Sequence, residues 1–137
     1  MTSHTRFITI DGLPPSDNNV YVQRRDGRGR ASTTKLKVWT KAVWTAYLEQ
    51  VPLRERSRLR NADAIEVHIR LFLDLRTKAG TMRKWDTSSH QKVTIDAITK
   101  AIGLDDCHVV RQVIEKRQRR VADGPQTHIG LAVLSEG

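Results

Sequence analysis

The sequence has only one cysteine, Cys107, and no long apolar run. A single cysteine excludes an internal disulfide and a cysteine-based zinc site, and it suits a reducing cytoplasm. A membrane span needs about 20 consecutive apolar residues, and no segment approaches that length. The first residues, MTSHTRFITIDG, lack the apolar region of a secretory signal. We therefore expect a cytoplasmic protein that does not enter a membrane.

Acidic residues are also scarce, with 15 aspartates and glutamates against 24 lysines and arginines, which gives a net charge of +9. Such a chain attracts polyanions, and nucleic acid is a better candidate partner than a membrane surface. Hydrophobic residues make up 38% of the 137 residues, enough for one core. We expect a single domain over residues 1–137, with a basic loop at 24–37 and a short flexible C-terminus.

Sequence periodicity predicts four strands and two main helices. The strands are expected over 6–10, 64–73, about 108–116 and 127–134, and the helices over 38–51 and 89–102. Pro52 ends the first helix, while Ser88 or Ser89 caps the second and Gly103 follows it. Apolar residues surround most of helix 38–51, which predicts burial on more than one side, under the sheet or against a second subunit. This order favours an α+β domain with a mixed sheet.

Two segments concentrate positive charge. Residues 24–37 carry six basic residues and one acidic residue, a net +5, and follow a turn-rich loop at 12–19. Residues 111–120 form a second patch of net +4. We favour phosphate contact over a merely solvated surface for the first segment. Its DNA-binding candidates are Arg24, Arg25, Arg28 and Arg30.

A few aspartates and one lysine could perform chemistry. Asp86 precedes the second helix, whereas Asp105 and Asp106 follow it. Carboxylates gathered in a basic protein would bind Mg²⁺, which activates water for phosphodiester hydrolysis, and Lys92 could stabilise the transition state. The helix spans about 21 Å, so these aspartates meet only if the chain folds back across a sheet edge. On spacing alone, the alternatives are a helix-start anion at Asp86, an ion pair of Lys92 with Asp96, and a turn at 105–106.

Two parts of the sequence carry motifs of a known kind. Residues 13–19 are LPPSDNN, and segments 86–92, 95–101 and 104–109 are DTSSHQK, IDAITKA and LDDCHV. The first motif is similar to the PPS-NN signature of the RusA family of Holliday junction resolvases, with Asp17 interposed. The three segments follow that family's pattern D-x-D-N-x-x-K, D-A-L-x, L-D-D-x-x-V. The resemblance covers most of the chain. It implies a homodimeric, Mg²⁺-dependent endonuclease that cleaves four-way DNA junctions, with Mn²⁺ as a possible substitute.

The resemblance also implies roles for individual residues. Asp86 and Asp106 match the family's first and last metal-binding aspartates, and Lys92 matches the lysine near the scissile phosphate. Trp85 ends the basic run before Asp86, where it either packs or contacts a base or sugar. The further DNA-binding candidates are Asn18, Asn19, Arg83 and Lys84.

One position departs from the family pattern. Ser88 stands where the family has its second aspartate. A hydroxyl can ligate Mg²⁺ but brings no charge, so the site would hold its metal less strongly or recruit Glu66, Asp74 or His90. The alternative functions are therefore a catalytically weakened junction-binding protein of the same fold, or an unrelated small basic nucleic-acid-binding module.

Overall fold

The computed structural model describes residues 6–16, 21–23 and 30–137. The elements in chain order are β1 (Arg6–Asp11), β2 (Tyr21–Gln23), β3 (Arg30–Ser32), α1 (Thr34–Gln50), α2 (Leu53–Arg60), β4 (Ala62–Leu73), α3 (Ser88–Ile102), a 3-10 helix (Asp106–His108), β5 (Val109–Gln118) and β6 (Gln126–Glu136). Four strands form one sheet in the order β1-β6-β4-β5, and β2 pairs with β3 in a second, two-stranded sheet. β4 runs parallel to β5 and antiparallel to β6. The predicted α+β fold with a mixed four-stranded sheet is confirmed.

The alternation of β4 decides which face of the sheet is buried. Its side chains at 65, 67, 69, 71 and 73 are buried in the core, together with apolar side chains of α1 and α3. The intervening residues, among them Glu66, His68 and Arg70, are only half-buried. Because side chains of a strand alternate between faces, the polar set lies on the face opposite the helices.

α1 begins earlier than predicted and is buried on one side. Thr33 caps it by accepting a hydrogen bond from the Leu36 backbone N–H at 3.4 Å. In the basic segment predicted as a loop over 24–37, residues 30–32 lie in β3 and those from Thr34 onward lie in α1, while residues 24–29 are outside the described ranges. Trp44 and Leu48 are 41% and 45% exposed. The single chain therefore buries only one side of α1, and burial of the other side against a second subunit stays a prediction.

Three α-helices, rather than two, occur in the part of the chain that the structure describes. The additional helix, α2, follows Pro52 directly and buries Leu59. α3 ends as predicted at Gly103, whose φ of +87° places it in the left-handed region. β6 continues beyond the predicted end at 134 as far as Glu136, which pairs with Ala62. The flexibility expected of the C-terminus stays a prediction.

Candidate active site

The start of α3 holds Asp86 and Ser88 in direct contact. The Ser88 backbone N–H donates to Asp86 Oδ1 at 3.0 Å. The Ser88 hydroxyl lies 2.8 Å from Oδ1 and 2.9 Å from Oδ2 of the same carboxylate. Ser89 Oγ donates to the Asp86 backbone carbonyl at 3.1 Å. These bonds fix the Asp86 carboxylate over the first turn of the helix.

The predicted capping role of Ser88 or Ser89 is wrong. Thr87 occupies the N-cap position and makes no side-chain capping bond. Asp86 instead accepts the free N–H of Ser88, so the carboxylate performs the function that caps normally serve. The Ser88 hydroxyl and then the Ser88 N–H lower the pKa of Asp86 below its ordinary value. Asp86 is therefore an exposed, ionised carboxylate with its oxygens available to a hard cation.

Trp85 and His90 attach the turn-rich loop to α3. Their rings stack with centroids 3.7 Å apart and planes 10° from parallel. His90 Nδ1 lies 2.8 Å from the carbonyl oxygen of Pro14, which is itself buried. Trp85 also packs against the core, which supports the packing alternative for this residue. The loop that carries the PPS-NN resemblance thus lies beside Asp86, while Asn18 and Asn19 fall outside the described residues.

Lysines approach this turn from two elements. Lys116 of β5 donates from Nζ to the Trp85 carbonyl at 3.2 Å. Gln91 Nε2 donates to Gln112 Oε1 at 2.7 Å and also joins α3 to β5. Lys92 is exposed on α3 one turn after Ser88 and on the same side of the helix. Of the predicted site, the structure therefore brings Asp86 and Ser88 into contact and places Lys92 one helical turn after Ser88.

Asp105 and Asp106 lie at the opposite end of α3. Asp105 Oδ1 accepts the Cys107 N–H at 3.2 Å and caps the 3-10 helix. This bond is the main reason that the pKa of Asp105 is lowered. Asp106 is exposed beside it. His108 Nδ1 lies 2.8 Å from the Asp63 carbonyl oxygen, which ties this turn to the start of β4. The alternative of a local turn role at 105–106 therefore applies to Asp105, which caps the 3-10 helix, whereas the Asp106 carboxylate is exposed.

One chain does not bring Asp86 and Asp106 together. The 15 residues of α3 separate them, a length of roughly 22 Å at the usual helical rise. The sheet also shows that the two aspartates are far apart. Asp86 follows Trp85, whose carbonyl contacts Lys116 of β5, whereas Asp106 lies three residues before Val109 at the start of the same strand. Val109 and Lys116 are seven residues apart, a distance of roughly 23 Å along β5. Over 6–16, 21–23 and 30–137, no three acidic, histidine or cysteine side chains gather as a metal site.

The residues considered as substitutes for a second aspartate are occupied elsewhere. Glu66 lies on the opposite face of the sheet and pairs with Arg111 at 3.0 Å. Asp74 accepts from Gln118 Nε2 at 3.0 Å and pairs with Arg119 at 3.1 Å. His90 is held by Trp85 and Pro14 through its ring face and Nδ1. Within one chain, Glu66 therefore lies on the other face of the sheet from α3, and the other two residues are engaged in bonds of their own.

The predicted DNA-binding residues are only partly described. Arg83 and Lys84 are exposed just before Asp86, and Arg83 Nε donates to the Asp74 carbonyl at 3.1 Å. Arg30 lies in β3, where the backbone alone is described. Arg24, Arg25 and Arg28 lie outside the described residues.

The basic patch at 111–120 is divided between two faces of the sheet, although its charge count predicts one surface. Lys116 faces α3, whereas Arg117 faces away and pairs with Glu115 at 2.8 Å. Glu115 also lies 3.2 Å from Arg70 and 3.4 Å from His68. Burial raises the pKa of Glu115, but the nearby Arg117, His68 and Arg70 lower it by more, so the pKa of Glu115 lies below its ordinary value. The alternation of side chains along the strand 109–118 would have predicted that Lys116 and Arg117 lie on opposite faces of the sheet.

Comparison with solved structures gives only distant similarities. The 2C-methyl-D-erythritol 2,4-cyclodiphosphate synthase of Plasmodium vivax is 12% identical, with 94% of this chain and 96% of that chain covered and a TM-score of 0.34. A CDP-bound form of such a synthase is also 12% identical, with 96% and 98% covered and a TM-score of 0.33. The bifunctional IspDF of Campylobacter jejuni is 10% identical, with 98% and 44% covered and a TM-score of 0.28. These low scores carry no argument about fold or function.

Comparison with protein families gives a clear result. No curated protein matches the chain, and no helix among the described residues is long and apolar enough to cross a membrane. A family model described as endodeoxyribonuclease RusA matches residues 11–131. This range contains the loop beside His90, the whole of α3, and both Asp86 and Asp106. The match spans most of the sequence, and the chain therefore belongs to the RusA family of endodeoxyribonucleases.

Proposed function

We propose that this protein is a Mg²⁺-dependent endonuclease that cleaves four-way DNA junctions in recombination and repair. The observation that carries the proposal is the Asp86–Ser88–Lys92 arrangement on α3, inside the region that matches a nuclease family. An ionised carboxylate and a hydroxyl are in contact at the start of α3, and an exposed ammonium group follows one turn later on the same side of the helix. In a protein of net charge +9, this combination suits a phosphodiester substrate.

The oxygen donors at this turn fit Mg²⁺. Asp86 offers a carboxylate that stays ionised at neutral pH, and the Ser88 hydroxyl lies within contact of it. Mg²⁺ takes one or two carboxylates in such sites and fills its shell with water and phosphate oxygens. When bound, Mg²⁺ would polarise the phosphoryl group and lower the pKa of the attacking water. Mn²⁺ prefers the same kind of ligands and would substitute for it.

The remaining residues of the turn position the strand. Lys92 would donate to the phosphate oxygens as negative charge develops on them. Arg83 and Lys84, exposed immediately before Asp86, would neutralise neighbouring phosphates. Asn18, Asn19 and the arginines at 24, 25, 28 and 30 would extend this contact along the DNA.

The distance between Asp86 and Asp106 bears on the active assembly. Because one chain holds them on the order of 20 Å apart, both can ligate one cation only when a second copy supplies one of them. We therefore propose a homodimer in which Asp86 of one protomer meets Asp106 of the partner subunit. A two-fold particle also suits a junction in which two opposed strands are cut.

Ser88 favours a second candidate function. It replaces a carboxylate in the family pattern, and its hydroxyl already bonds to Asp86. A site with one fewer negative charge holds a divalent cation less strongly. A junction-binding protein with weakened or lost cleavage is therefore the alternative.

A cleavage assay with and without metal tests the proposal. A labelled synthetic four-way junction and a linear duplex of the same sequence are incubated with protein in Mg²⁺ or in EDTA. We expect paired nicks in the junction only, dependent on Mg²⁺ and abolished by Asp86→Asn. Asp63→Asn, which removes an exposed carboxylate from β4, is the matched control and should cleave normally. Junction-selective binding without any cleavage would favour the second candidate, and binding without preference for the junction would refute both.

A further inference from the structure

A groove runs along α1 on the side that faces α3. It is lined by Lys37, Lys41 and Trp44 of α1 and by Lys100 of α3; we refer to these four residues as the α1–α3 groove. Residues 37, 41 and 44 lie on one stripe of α1 because they are spaced by four and three positions. All three lysines are exposed, and Trp44 is 41% exposed. An exposed indole ring and three exposed lysines thus line the same groove.

The three lysines of this groove take no part in the ion pairs found among the described residues. No carboxylate of the described chain forms an ion pair within 4.0 Å of Lys37, Lys41 or Lys100. The arginines of the opposite sheet face differ, since Arg70 and Arg117 both pair with Glu115. Unpaired ammonium groups attract phosphates. A second copy packed two-fold on the same groove would instead bring like charges together, which disfavours that occupant.

The groove also lies in reach of a strand bound at the candidate active site. Lys100 follows Lys92 by eight residues on α3, roughly 12 Å along the helix axis. A DNA strand rises about 3.4 Å per nucleotide, so the groove lies roughly three to four nucleotides from a phosphate held at Lys92. An aromatic ring among cations suits a nucleotide, whose base stacks while its phosphate is neutralised.

We propose that the α1–α3 groove binds an unstacked nucleotide at the branch point of the DNA, with its base on Trp44 and its flanking phosphates on the three lysines. This inference rests on the proposed function, to which it adds the means of distinguishing branched from linear DNA. Bases inside a linear duplex are stacked on their neighbours, whereas unpaired or splayed bases offer their faces to aromatic side chains. Trp44 therefore contributes selectivity, and the lysines contribute affinity for both kinds of DNA.

The test is a fluorescence anisotropy titration without metal, using a labelled four-way junction and a linear duplex at several salt concentrations. Trp44→Ala should lower the junction affinity by roughly 5- to 150-fold and leave the duplex affinity unchanged. Trp44→Phe should retain most of the junction affinity. Combined replacement of the three groove lysines by glutamine should weaken binding to both DNAs and lower the salt slope by about 0.9 for each phosphate that the variant no longer neutralises.

Two control variants lie on α2, outside the groove. Leu53→Ala removes an exposed apolar side chain and Arg54→Gln removes an exposed charge; neither should change junction selectivity. Unchanged junction affinity in Trp44→Ala, or equal losses on both DNAs, would overturn the proposal. A change of sedimentation in Trp44→Ala with unchanged DNA binding would also overturn it and show that a second copy occupies the groove. If the wild type cleaves junctions and Trp44→Ala keeps its preference for junctions over duplex, this inference alone is overturned. If the wild type neither binds junctions selectively nor cleaves them, the proposed function is overturned as well.

Discussion

Replacement of Ser88 is the most informative single change to the candidate metal site. Its hydroxyl lies 2.8 and 2.9 Å from the two oxygens of Asp86. An aspartate at the same position places a second carboxylate beside the first, where a bound cation contacts both. We expect Ser88→Asp to lower the Mg²⁺ concentration for half-maximal junction cleavage by on the order of tenfold, the usual size of effects from a ligand's immediate neighbours.

Ser88→Ala should act in the opposite direction. It removes the donor that contributes most to lowering the pKa of Asp86, so the pKa of Asp86 should rise toward its ordinary value. Loss of an outer hydrogen-bond partner typically weakens metal affinity by about 10- to 100-fold. The lowered pKa keeps Asp86 ionised as the pH falls, so the acid limb of cleavage should move to higher pH in Ser88→Ala.

The assay is a Mg²⁺ titration of junction cleavage for wild type, Ser88→Ala and Ser88→Asp, repeated across acid pH. Ser89→Ala is the matched control, because the Ser89 hydroxyl donates to the backbone carbonyl of Asp86 rather than to its carboxylate. In the metal-free protein, Ser88→Asp should also melt earlier than wild type, and Mg²⁺ should reverse that loss because it relieves the repulsion between carboxylates. Equal Mg²⁺ midpoints for all four proteins would refute the assignment of Ser88 to the metal site.

Three further predictions concern other parts of the structure. Lys92→Ala should slow cleavage by on the order of 100-fold or more with junction binding nearly unchanged; normal cleavage with lost thermal stability would instead support an ion pair with Asp96. Glu115→Gln should lower the free energy of unfolding by about 1 kcal/mol at pH 7. Because the pKa of Glu115 is lowered in the folded protein, the difference between variant and wild type in denaturation experiments should disappear as the pH falls through that pKa. Alanine at the four arginines of the basic segment should weaken junction binding and flatten its salt dependence, and an unchanged slope would show no DNA contact by Arg24, Arg25, Arg28 and Arg30.

The sequence predicts the sheet better than the helices. β4 carries five buried apolar residues in strict alternation, a pattern that only a strand with one buried face explains. α2 could not be predicted, because LRERSRLR offers only two apolar residues and its stability depends on burying Leu59 in the core. The predicted start of α1 is too late because residues 34–37 carry charge rather than apolar periodicity, although Thr33 is a standard cap.

The candidate site is predicted by residue type but not by geometry. The resemblance identifies Asp86 and Lys92, and the structure places Asp86 two residues before α3 and Lys92 in its second turn. The bonds from Ser88 to Asp86 could not be foreseen, since serine at a helix start equally suggests a cap. Spacing alone gives the helix length between Asp86 and Asp106, but only the register of β5 shows that the chain does not fold back to join them. The attachment of Pro14 to His90 is a tertiary contact with no sequence signal.

Pairing complementary inactive chains tests the central claim most directly. Asp86→Asn and Asp106→Asn proteins are prepared separately and by co-expression with two different tags, and the doubly tagged dimers are assayed for junction nicking in Mg²⁺. Each single variant should be inactive while wild type cuts. If Asp86 and the partner's Asp106 share one cation, each mixed dimer has one intact site, and about half of the wild-type nicking per dimer should return. An inactive wild type, or mixed dimers as inactive as their parents, would contradict a metal centre built from these two aspartates.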